Sequence, residues 1–196
     1  MTPLNKKDVI AGLIIAFVTF FIALIVGIGS ELFLKIIKSI WLALIFLLFI
    51  ISVGVFFDVI GTAVTAATIP PLNAKASQRI LGAEQAVRLV RNAGSVANYC
   101  NDIIGDVAGT LSGATGAAIV IKLSTMFPLT NIALVSAMMT SFIAALTVGG
   151  KAIGKEFSLA NANNIILKVA TVIAYWEKLT GIIVFPKKKG RKWKKF

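Results

Sequence analysis

Apolar positions along this chain come in long uninterrupted blocks rather than in the short periodic stripes of a water-soluble domain. Uncharged runs extend over 22 residues (Val9–Ser30), 19 residues (Ser39–Phe57) and 28 residues (Leu123–Gly150), and a fourth, Val107–Ile121, over 15. About 18 to 20 apolar residues suffice to carry a helix across a bilayer. The pattern therefore predicts an all-α integral membrane protein with four transmembrane helices, near 9–33, 39–68, 96–122 and 131–149. Pro70-Pro71 is expected to end the second, because proline cannot continue the backbone hydrogen-bond ladder.

Between and after these runs the periodicity changes. Over residues 72–92, Ala76, Ile80, Ala83, Val87 and Val90 recur at spacings of three and four, with Lys75, Gln78, Gln85 and Arg88 on other faces. Glu84 and Arg88 are one turn apart and able to pair. This predicts an amphipathic helix on the membrane surface. Residues 158–178 predict a second, juxtamembrane one. Its apolar face is Ile165, Ile166, Val169, Val172, Ile173 and Trp176, and Asn164, Lys168, Thr171 and Lys178 lie opposite. Tyr175 and Trp176 suit the headgroup level.

Composition agrees with this picture and removes alternatives. The chain of 196 residues is 58% hydrophobic and 14% charged, against about a quarter charged in soluble domains. It has no histidine, which excludes His-based triads, HExxH zinc sites and haem ligation by His. The single Cys100 excludes an intrachain disulfide and a CxxC site. No nucleotide-binding loop is present, and no nucleophile has a neighbouring base, so the chain does not read as an enzyme.

The net charge of +12 reads as a topology signal rather than a nucleic-acid footprint. Seven of the 20 basic residues are Lys187, Lys188, Lys189, Arg191, Lys192, Lys194 and Lys195. Four more, Lys75, Arg79, Arg88 and Arg91, lie on the first amphipathic stretch. By the positive-inside rule both regions are cytoplasmic, and so are both termini of a multi-pass cell-membrane protein. The nearly charge-free 123–130 loop then faces outside, although Lys35 and Lys38 in the first turn run against the rule. The tail, 181–196, is expected to hold anionic lipid headgroups, at about 1 kcal/mol per basic residue.

Three acids stand in or beside the apolar runs: Asp58, Asp102 and Asp106. A carboxylate at a helix centre costs about 2.5–3.5 kcal/mol on the insertion scale, so each is a functional candidate. Asn98, Asp102 and Asp106 recur every four residues and share a face; Asp58 and Thr62 do likewise on the second span. Such oxygen donors suit a hard cation such as Mg²⁺. Helix capping, or pairing with a lysine such as Lys151 or Lys155, is the structural alternative. Gly105, Gly109 and Gly113 read as a helix-packing seam. Gly149-Gly150 and Gly154 read as a turn, or as an unwound ion-facing segment.

The order of these elements is specific. A membrane helix ending FFDVIGTAVTAA is followed by a basic amphipathic stretch, then by VANYCNDIIGDV opening a small-residue-rich helix, then by LTVGGKAIGKEF and a juxtamembrane helix. Over residues 40–180 this resembles the transmembrane domain of the CNNM/CorC family of magnesium transporters. Family members read FFSxSETAL, GNxxxN and GExxPK at the corresponding places. The family's two serines fall on Asp58 and Ile60, and the glutamate of that motif on Gly61. Its paired asparagines fall on Asp102 and Asp106.

The ion-coordinating glutamate of GExxPK falls on Gly150, after Gly149. The resemblance implies a homodimer and a Mg²⁺ site that would use Asp58, Thr62, Asn98, Asp102 and Asp106, with backbone near Gly149 and Gly150. The helix in 1–38 is additional to the family domain in 39–180, and the nucleotide-binding CBS pair is missing. Two functions stay open: a divalent-cation transporter with redistributed charge, or a non-transporting scaffold or accessory subunit that has lost the ion site.

Overall fold

The computed structural model describes residues 6–37, 39–127 and 131–184, and every regular element among them is helical. In chain order these are α1 (Lys6–Ile36), α2 (Ile40–Ala66), α3 (Ile69–Ser77), α4 (Ala83–Arg91) and α5 (Ala93–Ala97). A π-helical stretch, Asn98–Gly105, then leads into α6 (Asp106–Met126), and α7 (Ile132–Thr180) closes the series. Four helical segments are long and apolar enough to cross a membrane: Gly12–Ile36, Ile40–Ala66, Ala93–Met126 and a stretch within Ile132–Thr180. The expected spans are thus present as helices. Lys38, residues 128–130 of the loop expected to face outside, and residues 185–196 of the basic tail lie outside the described residues.

The chain divides into two compact units, Met1–Asp58 with Cys100–Gly154, and Val59–Tyr99 with Lys155–Phe196. The first unit packs in a way that suits a membrane bundle. Lipid tails are as apolar as leucine, so helices are held there by close van der Waals approach rather than by escape from water. Its core joins Ala43, Leu47 and Ile51 of α2 to Ile119 of α6 and Ile143 of α7. Small residues permit the approach. A Cβ on Gly54 would stand 3.0 Å from that of Ala108, and one on Gly150 would stand 3.0 Å from Val55 Cγ2. Gly116 faces Ile143 and Met139 as closely.

This differs from the expected glycine seam. Gly105 is buried, but Gly109 and Gly113 have nothing within 4 Å of their would-be Cβ positions. The inward stripe of α6 is Ala108, Ser112, Thr115, Gly116 and Ile119, rotated away from the 105/109/113 row. Large neighbours such as Ile143 choose the face that accommodates them, not the face with the most glycines.

The second unit departs more from expectation. Pro70 and Pro71 do not merely follow the end of α2; they form the first turn of α3. Proline suits that place because its missing N–H would have no intrahelical partner there. Residues 72–92 form two helices rather than one. The chain turns between α3 and α4 through Arg79 (φ 56°) and Gly82 (φ 84°), a left-handed conformation that glycine adopts without Cβ strain. A side chain on Gly82 would also meet the Thr171 backbone at 2.7 Å.

In α7 the glycines at 149, 150 and 154 stay helical, and the break comes at Asn161 (φ −121°, ψ 20°). The buried stripe beyond Gly154 is Ser158, Ala162, Ile166, Ala170 and Ala174. Val172 and Trp176, expected on the apolar face, are 69% and 58% exposed. Of the expected apolar face, Ile166 is fully buried and Ile165, Val169 and Ile173 are half-buried.

Candidate functional site

The ion-site reading rests on Asp58. The structure gives this carboxylate a cation from its own chain: Lys151 Nζ on α7 lies 3.5 Å from Asp58 Oδ1 on α2, with both side chains mostly shielded. Helical spacing aims Lys151 inward, toward Gly105. A Cβ on Gly105 would stand 3.8 Å from Lys151 Nζ and 3.3 Å from the Cys100 carbonyl oxygen. Gly105 closes the π-helical stretch, where the wider turn displaces one backbone step relative to an α-helix. Such insertions recur at functional sites.

Two further polar groups belong to the same unit and were not singled out by sequence reasoning. Asn101 Oδ1 and Thr147 Oγ1 are buried with no hydrogen-bond partner. Thr147 lies one turn before Lys151 on the same face of α7. A lone asparagine or threonine in an apolar run carries no distinguishing sequence signal.

The remaining predicted ligands are placed differently. Asp102 and Asp106 are exposed, as is Asn98, so their shared face points away from the packed core. Neither aspartate takes part in an ion pair among the described residues. Thr62 is half-buried, and its carbonyl accepts a 2.8 Å hydrogen bond from Thr65 Oγ1. Thr62 and Asn98 belong to the second unit, whereas the three aspartates belong to the first. Gly149 is exposed and Gly150 abuts Val55, both inside a helix, so no unwound carbonyls are offered there. Among the described residues no group of three or more His, Cys, Asp or Glu side chains is placed to hold a metal ion. The donor set at Asp58 is one carboxylate already facing an ammonium, which does not fit a divalent cation wanting several oxygens. The basic cluster Lys187–Lys195, expected to meet headgroups, lies outside the described residues.

The second unit holds a stronger polar junction. Arg88 Nη2 of α4 meets Glu177 Oε2 of α7 at 2.5 Å, and Gln85 Nε2 donates to the same oxygen at 3.0 Å. The Val184 N–H donates to Glu177 Oε1 at 3.2 Å. A bilayer needs about 20 residues of helix and α7 has 49, so its amphipathic C-terminal part, including Glu177, lies beyond the spanning stretch. Burial pushes the Glu177 carboxyl up. The hydrogen bonds from Gln85, Arg88 and Val184, together with the Arg88 charge, outweigh that and hold it below the usual range. Further toward the start of α7, Asn163 accepts from Thr68 N–H at 2.9 Å and donates to Thr68 Oγ1 at 3.2 Å. The Ser158 hydroxyl donates to the Val59 carbonyl at 3.0 Å.

No protein-family model, curated protein or solved structure matches the chain.

Proposed function

We propose that this chain is a non-catalytic membrane scaffold or accessory subunit, related in plan to the CNNM/CorC transmembrane domain, in which a lysine replaces the transported cation. The observation that carries this reading is the Lys151–Asp58 pair. The carboxylate at the family's ion-site motif is neutralised from within, and the ammonium comes from the residue after Gly150, where the family keeps its coordinating glutamate. An ion pair of this kind relieves the cost of a lone acid in a span and leaves no net charge to attract Mg²⁺. The exposed face of α6, with Gly109 and Gly113 open, supports self-association as a homodimer.

The deciding experiment is flux. The full chain, reconstituted in liposomes loaded with a Mg²⁺-sensitive dye, gives no uptake above empty liposomes on this reading. Saturable uptake that is lost in Asp58→Asn overturns it. A second reading, cation transport, draws on Asp102 and Asp106, two carboxylates exposed on one face that a scaffold has no evident need for. In it, Lys151 would be a tethered competitor that yields to the ion.

A further inference from the structure

The additional helix α1 has no counterpart in the resembled family, and its contact with α6 has a distinctive chemistry. Between the two helices runs a groove of about 320 Å³, lined by Ala23, Gly27, Leu111, Ala114 and Thr115. Glu31, Leu34 and Ala118 line it as well, and they are shared with a second cavity of about 270 Å³ that adds Lys35 and Lys122. The two cavities adjoin at these shared residues; the first is lined mainly by apolar and small side chains, and the second carries both lysines.

We infer that these adjoining cavities are a binding site for a single anionic phospholipid, its acyl chain between α1 and α6 and its phosphodiester at Lys35 and Lys122.

Charge favours an anion at that end: two ammonium groups stand against the one carboxylate of Glu31. Lys35 takes part in no salt bridge among the described residues. Lys122 gives one of its three N–H donors to the Ile37 carbonyl at the end of α1, leaving two. The dimensions favour a lipid chain. Ala23 to Lys35 is about 18 Å at 1.5 Å per residue, close to the roughly 15 Å hydrocarbon depth of one leaflet.

The site is separate from the Asp58–Lys151 pair, so it stands or falls independently of the proposed function.

The test is native mass spectrometry on the full chain in neutral detergent, with phosphatidylglycerol, phosphatidylcholine or inorganic phosphate added. One retained phosphatidylglycerol is expected, with neither of the other two retained comparably. Lys35→Gln removes a headgroup partner and Gly27→Leu fills the groove while favouring helix. Each should cut retention about fivefold, the equivalent of about 1 kcal/mol per lysine near an anionic group. Both variants keep the basic tail. Unchanged retention in both would assign the lipid to that tail and overturn the site. Equal retention of phosphatidylcholine, or binding of inorganic phosphate alone at the same level, would also overturn it. Circular dichroism of each variant checks that the helices persist.

Discussion

The two units of this protein solve the same problem with different chemistry. In the first, α1, α2, α6 and the first part of α7 meet through glycine, alanine and aliphatic side chains, and one ion pair crosses the interior. In the second, α3, α4 and the last part of α7 are joined by directed polar contacts: Arg88 and Gln85 to Glu177, Asn163 to Thr68, and Thr171 to the Leu81 carbonyl. Insertion of the first unit's apolar helices into lipid, which their length and hydropathy permit, would account for the contrast. Within lipid there is little hydrophobic gain from bringing helices together, so fit must supply the attraction. At a water-facing surface hydrogen bonds compete with water, and net stability comes from satisfying groups that burial would otherwise strand. Disturbing fit should hurt the first unit, and disturbing partners should hurt the second.

The largest expected effect is at the turn of the second unit. Gly82→Val puts a β-branched residue at φ 84° and against the Thr171 backbone. Backbone strain of about 1–3 kcal/mol and overpacking of about 1–3 kcal/mol act together. A fall in melting temperature of about 4–24 °C is the expected outcome. Tolerance of valine would mean that the turn is held loosely and is not a constraint on this unit.

Next comes Arg88→Met, which leaves the Glu177 carboxylate shielded and short of a partner. About 1–3 kcal/mol should be lost. Because the native carboxyl sits below its unfolded value of about 4.3, its stabilisation is complete above that pH and disappears as pH falls through the lower native value. Wild type and Glu177→Gln should therefore differ in melting temperature at pH 7 and converge in acid. A constant difference from pH 7 to pH 3 would remove the ionised pair from the account.

A smaller effect is expected on the open face of α6. Gly109→Leu meets no side chain within the chain, so the folded monomer should keep its stability. Self-association should weaken by about 1–2 kcal/mol if that face joins two copies. Analytical ultracentrifugation in detergent reads this directly. An unchanged oligomer would assign the face to lipid.

The same contrast explains what could be read from the residues alone. Long uncharged blocks revealed the four apolar helices, with α2 expected over 39–68 and found over Ile40–Ala66. That signal depends only on the solvent, and it is strong. The orientation of each helix about its own axis was less legible. Glycine spacing pointed to 105/109/113, whereas Ile143 and Met139 select Gly116. Asp58 was legible as an unusual acid, and a lysine was among its expected answers. That Lys151 rather than Lys155 reaches it depends on α7 staying helical through Gly149-Gly150, where a turn was expected. Glu177 passed unnoticed because a glutamate beside Lys178 on an amphipathic helix looks like ordinary surface.

The central claim is that Lys151 occupies the place of a cation at Asp58. The most direct measurement is the melting temperature of the full chain in neutral detergent with and without millimolar Mg²⁺ or Mn²⁺. A ligand bound only by the folded state raises it. The account predicts no shift in wild type, and a loss of stability in Lys151→Met that Asp58→Asn in the same chain restores. A metal-dependent rise in wild type, abolished by Asp58→Asn, would contradict it.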